Sequence, residues 1–420
     1  FFIGELLRSL EGSVLLPEAD GSWRLGALER IRIPVLLRQV IDQRLARLGD
    51  DAERLLVIAS MIGPVVPLDL WFKVAEVDEG TLLDQMEKAI DAHLMTASAD
   101  GMSVLFSHEL LRDALYDGVS PPRRRGWHLR IVETLLALEH EPDPDQVAFH
   151  LTQAGDPRAV EWLTYAGERA QRAFAWRTAL QRYQAALELA QRDQSAFGVQ
   201  GWLRFRLALL GRFDDPVSGI ALLEDAERLG RNAGDQALVA YARFYQGMLR
   251  CQSGDLRHGI AAEQLGIALL DALSSDDRAR LALIETTSDP LDAQNGRGEL
   301  TLAMAENGRL QEARTLGERI VSLPSDLTEG SLADAWYGLG FAYAGLGDMG
   351  AASDAFGRAR AIFVESDYRN MVAASLFDEL MTVLLVYRTD DRRERSRFET
   401  QLQRAFAALD ESADLRSASM

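Results

Sequence analysis

Small residues recur about every forty positions in the part of the chain that follows residue 160, and this period constrains the fold more than any other feature. They stand at intervals of 40, 40, 54 and 39 residues: Ala179, Gly219, Gly259, Ala313 and Ala352. Two antiparallel helices approach closely only where side chains are small, and a large side chain then fills the groove beside them. The period predicts a mainly all-α fold, an α-α superhelix of tetratricopeptide-like repeats with an extended concave surface.

The repeat pattern is most complete in two copies. The clearest copy runs from Trp336 through Gly340 and Tyr343 to Ala352 and Phe356. The other copy has small and aromatic residues in the matching positions, namely Gly167, Ala179, Tyr183 and Ala186. We predict that each of these stretches is one pair of helices.

Three aromatic residues, Tyr241, Phe244 and Tyr245, fall on two faces of one predicted helix within the repeats. The aromatics of such repeats are mostly structural, and that interpretation applies to these rings as well. Because the rings span two faces, we also predict that at least one of them points into the groove and contacts a ligand.

The residues before the repeats predict three helices, the first beginning at Pro34, followed by a hairpin, which is the order of a winged-helix domain. The third predicted helix is TLLDQMEKAIDAHL, and the hairpin consists of LMTAS and MSVLFS around Asp100-Gly101, the pair that a tight type I′ turn requires. Earlier in the chain, GSVLLPEADGSWRLG predicts a small hairpin or an extended pair. The most apolar stretch, LLVIASMIGPVVPLDLWF, is too interrupted to span a membrane and predicts a buried helix, a turn and a short extended segment.

Composition excludes several classes of function. The 420 residues carry a formal net charge of −19, which opposes binding to a nucleic-acid backbone. The two lysines, Lys73 and Lys88, do not follow glycine, so the chain has no phosphate-binding P-loop. A single cysteine and no signal-like N-terminal segment make the cytoplasm the expected location.

Individual candidates for chemistry have plainer interpretations. His140 and His150 lie ten residues apart with no cysteine nearby, so zinc spacing is absent, and we predict that His150 forms a hydrogen bond between helices. Cys251 has no neighbouring histidine or second cysteine and is interpreted as buried filler. The basic run 123–125 is interpreted as a solvated linker or a partner in salt bridges.

Four blocks of the sequence resemble the large ATP-binding regulators of the LuxR type, which belong to the signal-transducing ATPases with numerous domains. The blocks are FFIGELL, IPVLLRQVIDQRLARLGDDAERLLVIASMIG, FSHELLRDALYDGVSPPRRRGWHLRI and VAFHLTQAGDPRAVEWLTYAGERA. Their order and spacing carry the resemblance. It implies a remnant of the ATPase lid at 1–33, a winged helix at 34–120, a linker with the first helical pair at 121–160, repeats at 161–413 and a tail at 414–420.

The resemblance implies the sensor region of a nucleotide-switched transcriptional regulator. The repeats would bind an inducer or a protein partner, and the winged helix would couple them to an ATPase domain. ATP or ADP with Mg²⁺ is expected to bind only with that domain, which is expected, like the DNA-binding helix-turn-helix, to lie outside this chain. We expect no catalysis, metal site, nucleic-acid binding or membrane contact from the chain itself, and oligomerisation in the longer protein. A protein–protein scaffold and the sensor arm of a multidomain adenylate cyclase or protein kinase remain open alternatives.

His108 is the residue to which the resemblance assigns a specific role. It opens a predicted helix within FSHELLRDALY, where free backbone amides favour an anion. The resemblance implies that His108 contacts a phosphate of bound ADP and holds the resting state of the longer protein. The alternative is that His108 caps its helix and packs under the hairpin.

Overall fold

In the structure, a computed structural model, the chain forms two units, 1–166 and 167–420. It describes residues 15–17, 23–25, 45, 48–137, 142–173, 175–193, 196–212, 214–274, 277, 293–322, 329–366, 368–387 and parts of 392–407. The predicted helix that begins at Pro34 and the predicted lid remnant lie largely outside these ranges.

The first unit combines helices with two small antiparallel sheets. In chain order its described elements are β1 (Leu15–Pro17), β2 (Trp23–Leu25), α1 (Asp50–Ile62), β3 (Val65–Pro67), α2 (Leu68–Ala75), α3 (Glu79–Asp91), β4 (Met95–Ala97), β5 (Ser103–Phe106), α4 (Glu109–Gly118), α5 (Pro121–Ala137) and α6 (Pro144–Ala154). Strands β1 and β2 pair with each other, which confirms the first predicted hairpin. Strands β3, β5 and β4 form a second sheet in that order.

The apolar stretch after residue 54 contains a helix that the sequence analysis missed. Helix α1 ends at Gly63, as predicted, and β3 follows, but α2 then begins directly after Pro67. The indole Nε1 of Trp71 on α2 donates to the backbone oxygen of Leu55 at 3.1 Å, which ties α2 to α1. A proline just before a helix needs no backbone donor, so it starts α2 where we expected extended chain.

The second hairpin is confirmed, but its turn differs from the prediction. Strands β4 and β5 pair from Met95 opposite Phe106 to Ala97 opposite Val104. Five residues connect them, and among these only Gly101 has a positive φ, +71°. The carboxylate of Asp100 accepts the Met102 amide at 3.0 Å, so it stabilises a longer loop in place of a type I′ turn.

The predicted linker at residue 121 is helical. Pro121 and Pro122 form the first turn of α5, where missing amide donors cost nothing, and the amides of Arg123 and Arg124 donate to the Ser120 oxygen at 2.9 and 3.0 Å. The guanidinium of Arg124 lies within 3.5 Å of an Asp117 carboxylate oxygen, as the salt-bridge interpretation predicts.

The second unit consists of helical pairs, and its first residue, Gly167, lies within the helix Ala159–Arg172. The elements are α7 (Ala159–Arg172), α8 (Trp176–Ala190), α9 (Phe197–Gly211), α10 (Pro216–Ala233), α11 (Gln236–Gln252), α12 (Leu256–Asp271), α13 (Ala293–Glu306), α14 (Leu310–Val321), α15 (Glu329–Leu346), α16 (Met349–Glu365), α17 (Arg369–Glu379), a π-helical turn (Leu380–Leu384) and α18 (Leu385–Tyr387). The predicted all-α repeat architecture is confirmed. Nowhere in the described ranges does a helix combine the length and apolar character that a membrane span requires.

The packing within pairs follows the predicted rule of small residues covered by aromatic rings. A Cβ added to Gly167 on α7 would stand 2.5 Å from the ring of Tyr183 on α8, and one added to Gly340 on α15 would stand 2.7 Å from the ring of Phe356 on α16. Both rings are fully buried. The ring therefore occupies the space that the glycine leaves open.

Candidate ligand-binding surface on the repeats

One repeat carries a carboxylate at a position where two other repeats carry a buried aromatic ring. Tyr183 and Phe356 each lie four residues after the recurring small residue of their repeat. In the third copy, the residue at this position is Glu263. A Cβ on Gly247 of α11 would lie 2.4 Å from the backbone nitrogen of Glu263 and 2.6 Å from its Cγ. Glu263 on α12 therefore lies against α11 as the two aromatic rings lie against their own partner helices.

Glu263 is buried without full hydrogen bonding. Its side chain is 1% exposed, and its Oε2 has no partner. Burial raises the pKa of the Glu263 carboxyl to about 8, with a further contribution from Glu306, while a hydrogen bond with Cys251 opposes the rise. An ionised carboxylate in this position is unfavourable unless a positive charge approaches it.

A second carboxyl, that of the partly buried Glu299, lies on α13, which packs closely against α15. A Cβ on Gly298 of α13 would lie 2.5 Å from the Ser331 oxygen and 3.3 Å from the Cβ of Asp334. This approach places Glu299 near Asp334, and burial raises their pKa values to about 7 and about 8. The Oε2 of Glu299 also has no partner.

Two more carboxyls complete the group. Tyr337 on α15 donates its hydroxyl to Asp378 on α17, and burial raises the pKa of the Asp378 carboxyl. The pKa of the exposed Glu306, at the end of α13, is raised by partial desolvation and by the charge of Asp378. We call Glu263, Glu299, Glu306, Asp334 and Asp378 the acidic cluster.

The acidic cluster borders aromatic residues and one arginine. Tyr245 on α11 is 9% exposed, and burial together with the charge of Glu299 raises the pKa of its hydroxyl. Arg212, just beyond α9, interacts with the charges of Tyr245 and Glu299, although burial lowers its pKa overall. The Tyr241 ring lies 6.5 Å from that of Tyr245, centroid to centroid, and is only partly buried. The surface thus offers carboxylates and tyrosine rings side by side.

The three predicted groove aromatics have different positions. Phe244 is fully buried, and a Cβ on Gly296 would lie 2.7 Å from its ring, so Phe244 packs between helices. Tyr245 is nearly buried beside the acidic cluster, and Tyr241 keeps accessible surface. A ligand role stays a prediction for these residues, with Tyr241 the best placed for contact.

Sequence reasoning missed the acidic cluster, although one signal was present. The signal is Glu263 in the slot that holds Tyr183 and Phe356 in other repeats. The neighbours of Glu263 could not be found in this way, because they come from helices far apart in the chain. Cys251, interpreted as filler, is the hydrogen-bonding neighbour of Glu263, and burial raises the pKa of its thiol, which disfavours a reactive thiolate.

His108 is the N-cap residue of α4, at the predicted boundary between β5 and a helix. Its side chain is exposed and makes no capping hydrogen bond. His108 therefore stands at the start of its helix, as the second interpretation has it, but its side chain makes no capping hydrogen bond and is not buried under the hairpin. The role of His108 as a phosphate contact stays a prediction.

Other residues of the family-like blocks meet inside the first unit. The Tyr116 hydroxyl lies 3.0 Å from Nε2 of His128, and Nδ1 of His128 lies 2.9 Å from Nδ1 of His150. Both histidines are fully buried, and burial lowers the pKa of His128 to about 4 and that of His150 to about 3. The predicted interhelical hydrogen bond of His150 is confirmed, and it joins α5 to α6. His140 lies outside the described residues.

A cavity of about 680 Å³ borders Tyr116 and His150 of this hydrogen-bonded group. The Nε2 atom of His150 has no hydrogen-bond partner. Among the described residues, no group of three or more His, Cys, Asp or Glu side chains could hold a metal ion.

Comparison with known proteins shows similarity to solved structures only. BtubC from P. vanneervenii is 18% identical over 59% of this chain and 93% of its own, with a TM-score of 0.41. A signal transduction ATPase with numerous domains that has a tetratricopeptide repeat sensor, from Pyrococcus horikoshii, is 12% identical over 91% of this chain, with a TM-score of 0.44. Aspartyl phosphate phosphatase F from Bacillus subtilis is 10% identical over 90% of this chain and 88% of its own, with a TM-score of 0.45.

The present chain covers 61% of the length of the Pyrococcus horikoshii protein. No protein-family model and no curated protein matches the chain. At these identities and TM-scores the similarity does not extend to function.

Proposed function

We propose that the chain is the sensor region of a nucleotide-switched transcriptional regulator, in which the repeats bind an inducer or protein partner. The observation that carries this proposal is the acidic cluster with its partnerless buried atoms, Glu263 Oε2 and Glu299 Oε2. Burying a polar atom without a partner costs about 1–3 kcal/mol, so such an atom calls for an explanation, and a bound ligand would supply one. The cluster lies beside Tyr241 and Tyr245, rings suited to contact with a ligand.

The first unit supports the coupling part of the proposal. Helix α1, strand β3, helices α2 and α3, and the β4–β5 hairpin follow the order of a winged-helix domain, with the three strands paired as β3, β5 and β4. His108 stands exposed beside the hairpin, at a helix N terminus whose first amides attract anions. Neither lysine follows a glycine, so a nucleotide would need a P-loop from an ATPase domain, and His108 would add one contact to its phosphate.

A ligand can change a switch only if it binds two states unequally. In the proposed mechanism, occupation of the repeats shifts the balance between an ADP-bound resting state and an ATP-bound active state. The residues of this chain bind the ligand and hold the nucleotide phosphate, and the reaction on the nucleotide belongs to the ATPase domain.

Photocrosslinking tests the ligand surface. p-Benzoylphenylalanine placed at Tyr241 should crosslink a ligand, whereas the same group at Val217, which is 72% exposed on α10, should not. The captured molecule is then purified and its affinity for the chain measured with and without Glu299→Gln. Equal crosslinking from both positions would contradict a specific surface on the repeats.

Nucleotide binding tests the coupling. In the natural protein that carries this region together with an ATPase domain, His108→Ala should weaken ADP binding, measured by calorimetry, and leave thermal unfolding unchanged because His108 is exposed. Unchanged ADP affinity, or absence of an ATPase domain from the natural protein, would refute the nucleotide switch and favour a scaffold.

A further inference from the structure

We infer that the acidic cluster binds a ligand carrying a primary amine or guanidinium group. This inference rests on the proposed function, since it names the chemistry of the ligand that the repeats take. The ligand chemistry is shared by free polyamines and by peptides with lysine or arginine side chains.

The described charges that face the cluster come from several helices. Four of these helices contribute carboxyls: Glu263 from α12, Glu299 and Glu306 from α13, Asp334 from α15, and Asp378 from α17. The other titratable groups around it are Cys251 and Tyr245 from α11, Tyr337 from α15, and Arg212 after α9. Among the residues that the structure describes, one guanidinium therefore faces five carboxyls. An anionic ligand would be repelled, and a cation would supply the missing countercharge.

Two partnerless atoms give an independent indication of a ligand. Oε2 of Glu263 and Oε2 of Glu299 are inaccessible to water and make no hydrogen bond, and Glu263 as a whole is 99% buried. An N–H donor from an ammonium or guanidinium group satisfies such atoms and supplies charge at the same time. Other arginines of the same unit already have carboxylate partners outside the acidic cluster: Arg204 pairs with Asp225, Arg206 with Glu168 and Arg243 with Glu227.

The cluster is graded from a buried base to an accessible rim. Glu263 is inaccessible, Glu299, Asp334 and Asp378 keep some accessible surface, and Glu306 is exposed. This gradation suits a long flexible cation, whose charged end enters while the rest of the molecule lies along α13 and α15. Tyr245 and Tyr337 are buried beside these carboxyls, and the Tyr337 hydroxyl donates to Asp378.

Binding should release protons. Burial raises the pKa of Glu263 and Asp334 to about 8 and that of Glu299 to about 7, so part of the cluster holds protons at pH 7. A bound cation favours the ionised carboxylates and displaces these protons. The association constant should therefore rise with pH, by up to about tenfold per unit for each proton released, and level off above about pH 8.

Calorimetric titration of the full 420-residue chain tests the inference. The probes are spermidine and the acetylated, amidated peptide Gly-Arg-Gly-Arg-Gly, each titrated at pH 7 in two buffers of different ionisation enthalpy. The control peptide has citrulline, a neutral residue of the same shape, in place of arginine. We expect binding of at least one cationic probe with proton release, and none of the citrulline peptide. Preference between the two probes distinguishes a polyamine from a peptide as the source of the cation.

Matched variants separate specific binding from attraction to a chain of charge −19. Glu299→Gln and Asp334→Asn should each weaken binding at least about tenfold, because a carboxylate partner of the cation is lost. Asp354→Asn, an exposed position on α16 outside the cluster, removes the same charge and should leave affinity unchanged. Thermal unfolding of each variant checks that the repeats remain folded.

The inference is wrong if neither probe binds at about 1 mM, if the cluster and control variants weaken binding equally, or if binding releases no protons. A neutral or anionic ligand crosslinked at Tyr241 would refute the inference that the ligand is a cation and would leave the proposed sensor function in place. Equal crosslinking from Tyr241 and Val217 would refute the sensor function itself.

Discussion

Replacing Glu263 with glutamine should stabilise the protein, and the gain should increase with pH. In the native structure Glu263 is 1% exposed, and burial raises its pKa from 4.5 to about 8. The native state therefore keeps this proton over a range in which the unfolded chain has lost it. Stability from the protonated carboxyl is complete below pH 4.5 and is lost as pH rises towards 8.

The magnitude follows from the shift. Each unit of pKa difference corresponds to about 1.4 kcal/mol, so ionisation of Glu263 in the unfolded chain costs the native state about 3 kcal/mol at pH 7. The loss reaches about 5 kcal/mol above pH 8. Glutamine has nearly the same shape, keeps an oxygen that can accept from the Cys251 thiol, and does not titrate in this range.

The assay is urea-induced unfolding followed by far-UV circular dichroism at pH 5, 6, 7 and 8. The midpoint of the Glu263→Gln variant should be close to that of the wild type at pH 5 and clearly higher at pH 8. Glu188→Gln, at an exposed position of α8, serves as a matched control and should show no such trend. A difference that stays constant between pH 5 and pH 8, or a variant less stable than the wild type at pH 8, would refute the reasoning.

Two further changes test the packing and the buried histidines. Gly247→Ala should destabilise the protein by about 1–3 kcal/mol, because its Cβ would meet the Glu263 backbone at 2.4 Å. Gly357→Ala on α16 has open space around it and should be neutral or slightly stabilising. Thermal unfolding of the two variants compares them. The lowered pKa values of His128 and His150 mean that the unfolded chain takes up protons below pH 6.5 that the native rings do not accept until about pH 4 and 3. The stability present above pH 6.5 should therefore fall in acid by about 1.4 kcal/mol per pH unit for each ring. In His150→Gln the urea midpoint should fall less between pH 6.5 and 4.5 than in the wild type. An equal fall of the midpoint in both proteins would contradict this expectation.

The repeats were predictable because their signal is local and periodic. Gly167 and Gly340 are covered by Tyr183 and Phe356, as the spacing of small and aromatic residues predicted. Helix α2 was missed because prolines interrupt an apolar run, and a run of that length does not distinguish a short helix from an extended segment. The turn around Gly101 was assigned too tightly because the side-chain hydrogen bonds of Asp100 are not visible in a dipeptide pattern.

The amino-acid sequence alone determined the class of fold, the stacking of helical pairs and the absence of a P-loop among these residues, since each depends on residue type at short spacing. It also determined that His108 would stand at a helix start. Only the tertiary structure decided that Glu263, Glu299 and Asp334 share one environment, because helix contacts between distant segments set burial and hence pKa. The same holds for the Tyr116–His128–His150 chain: its members come from three helices, and only packing makes them neighbours.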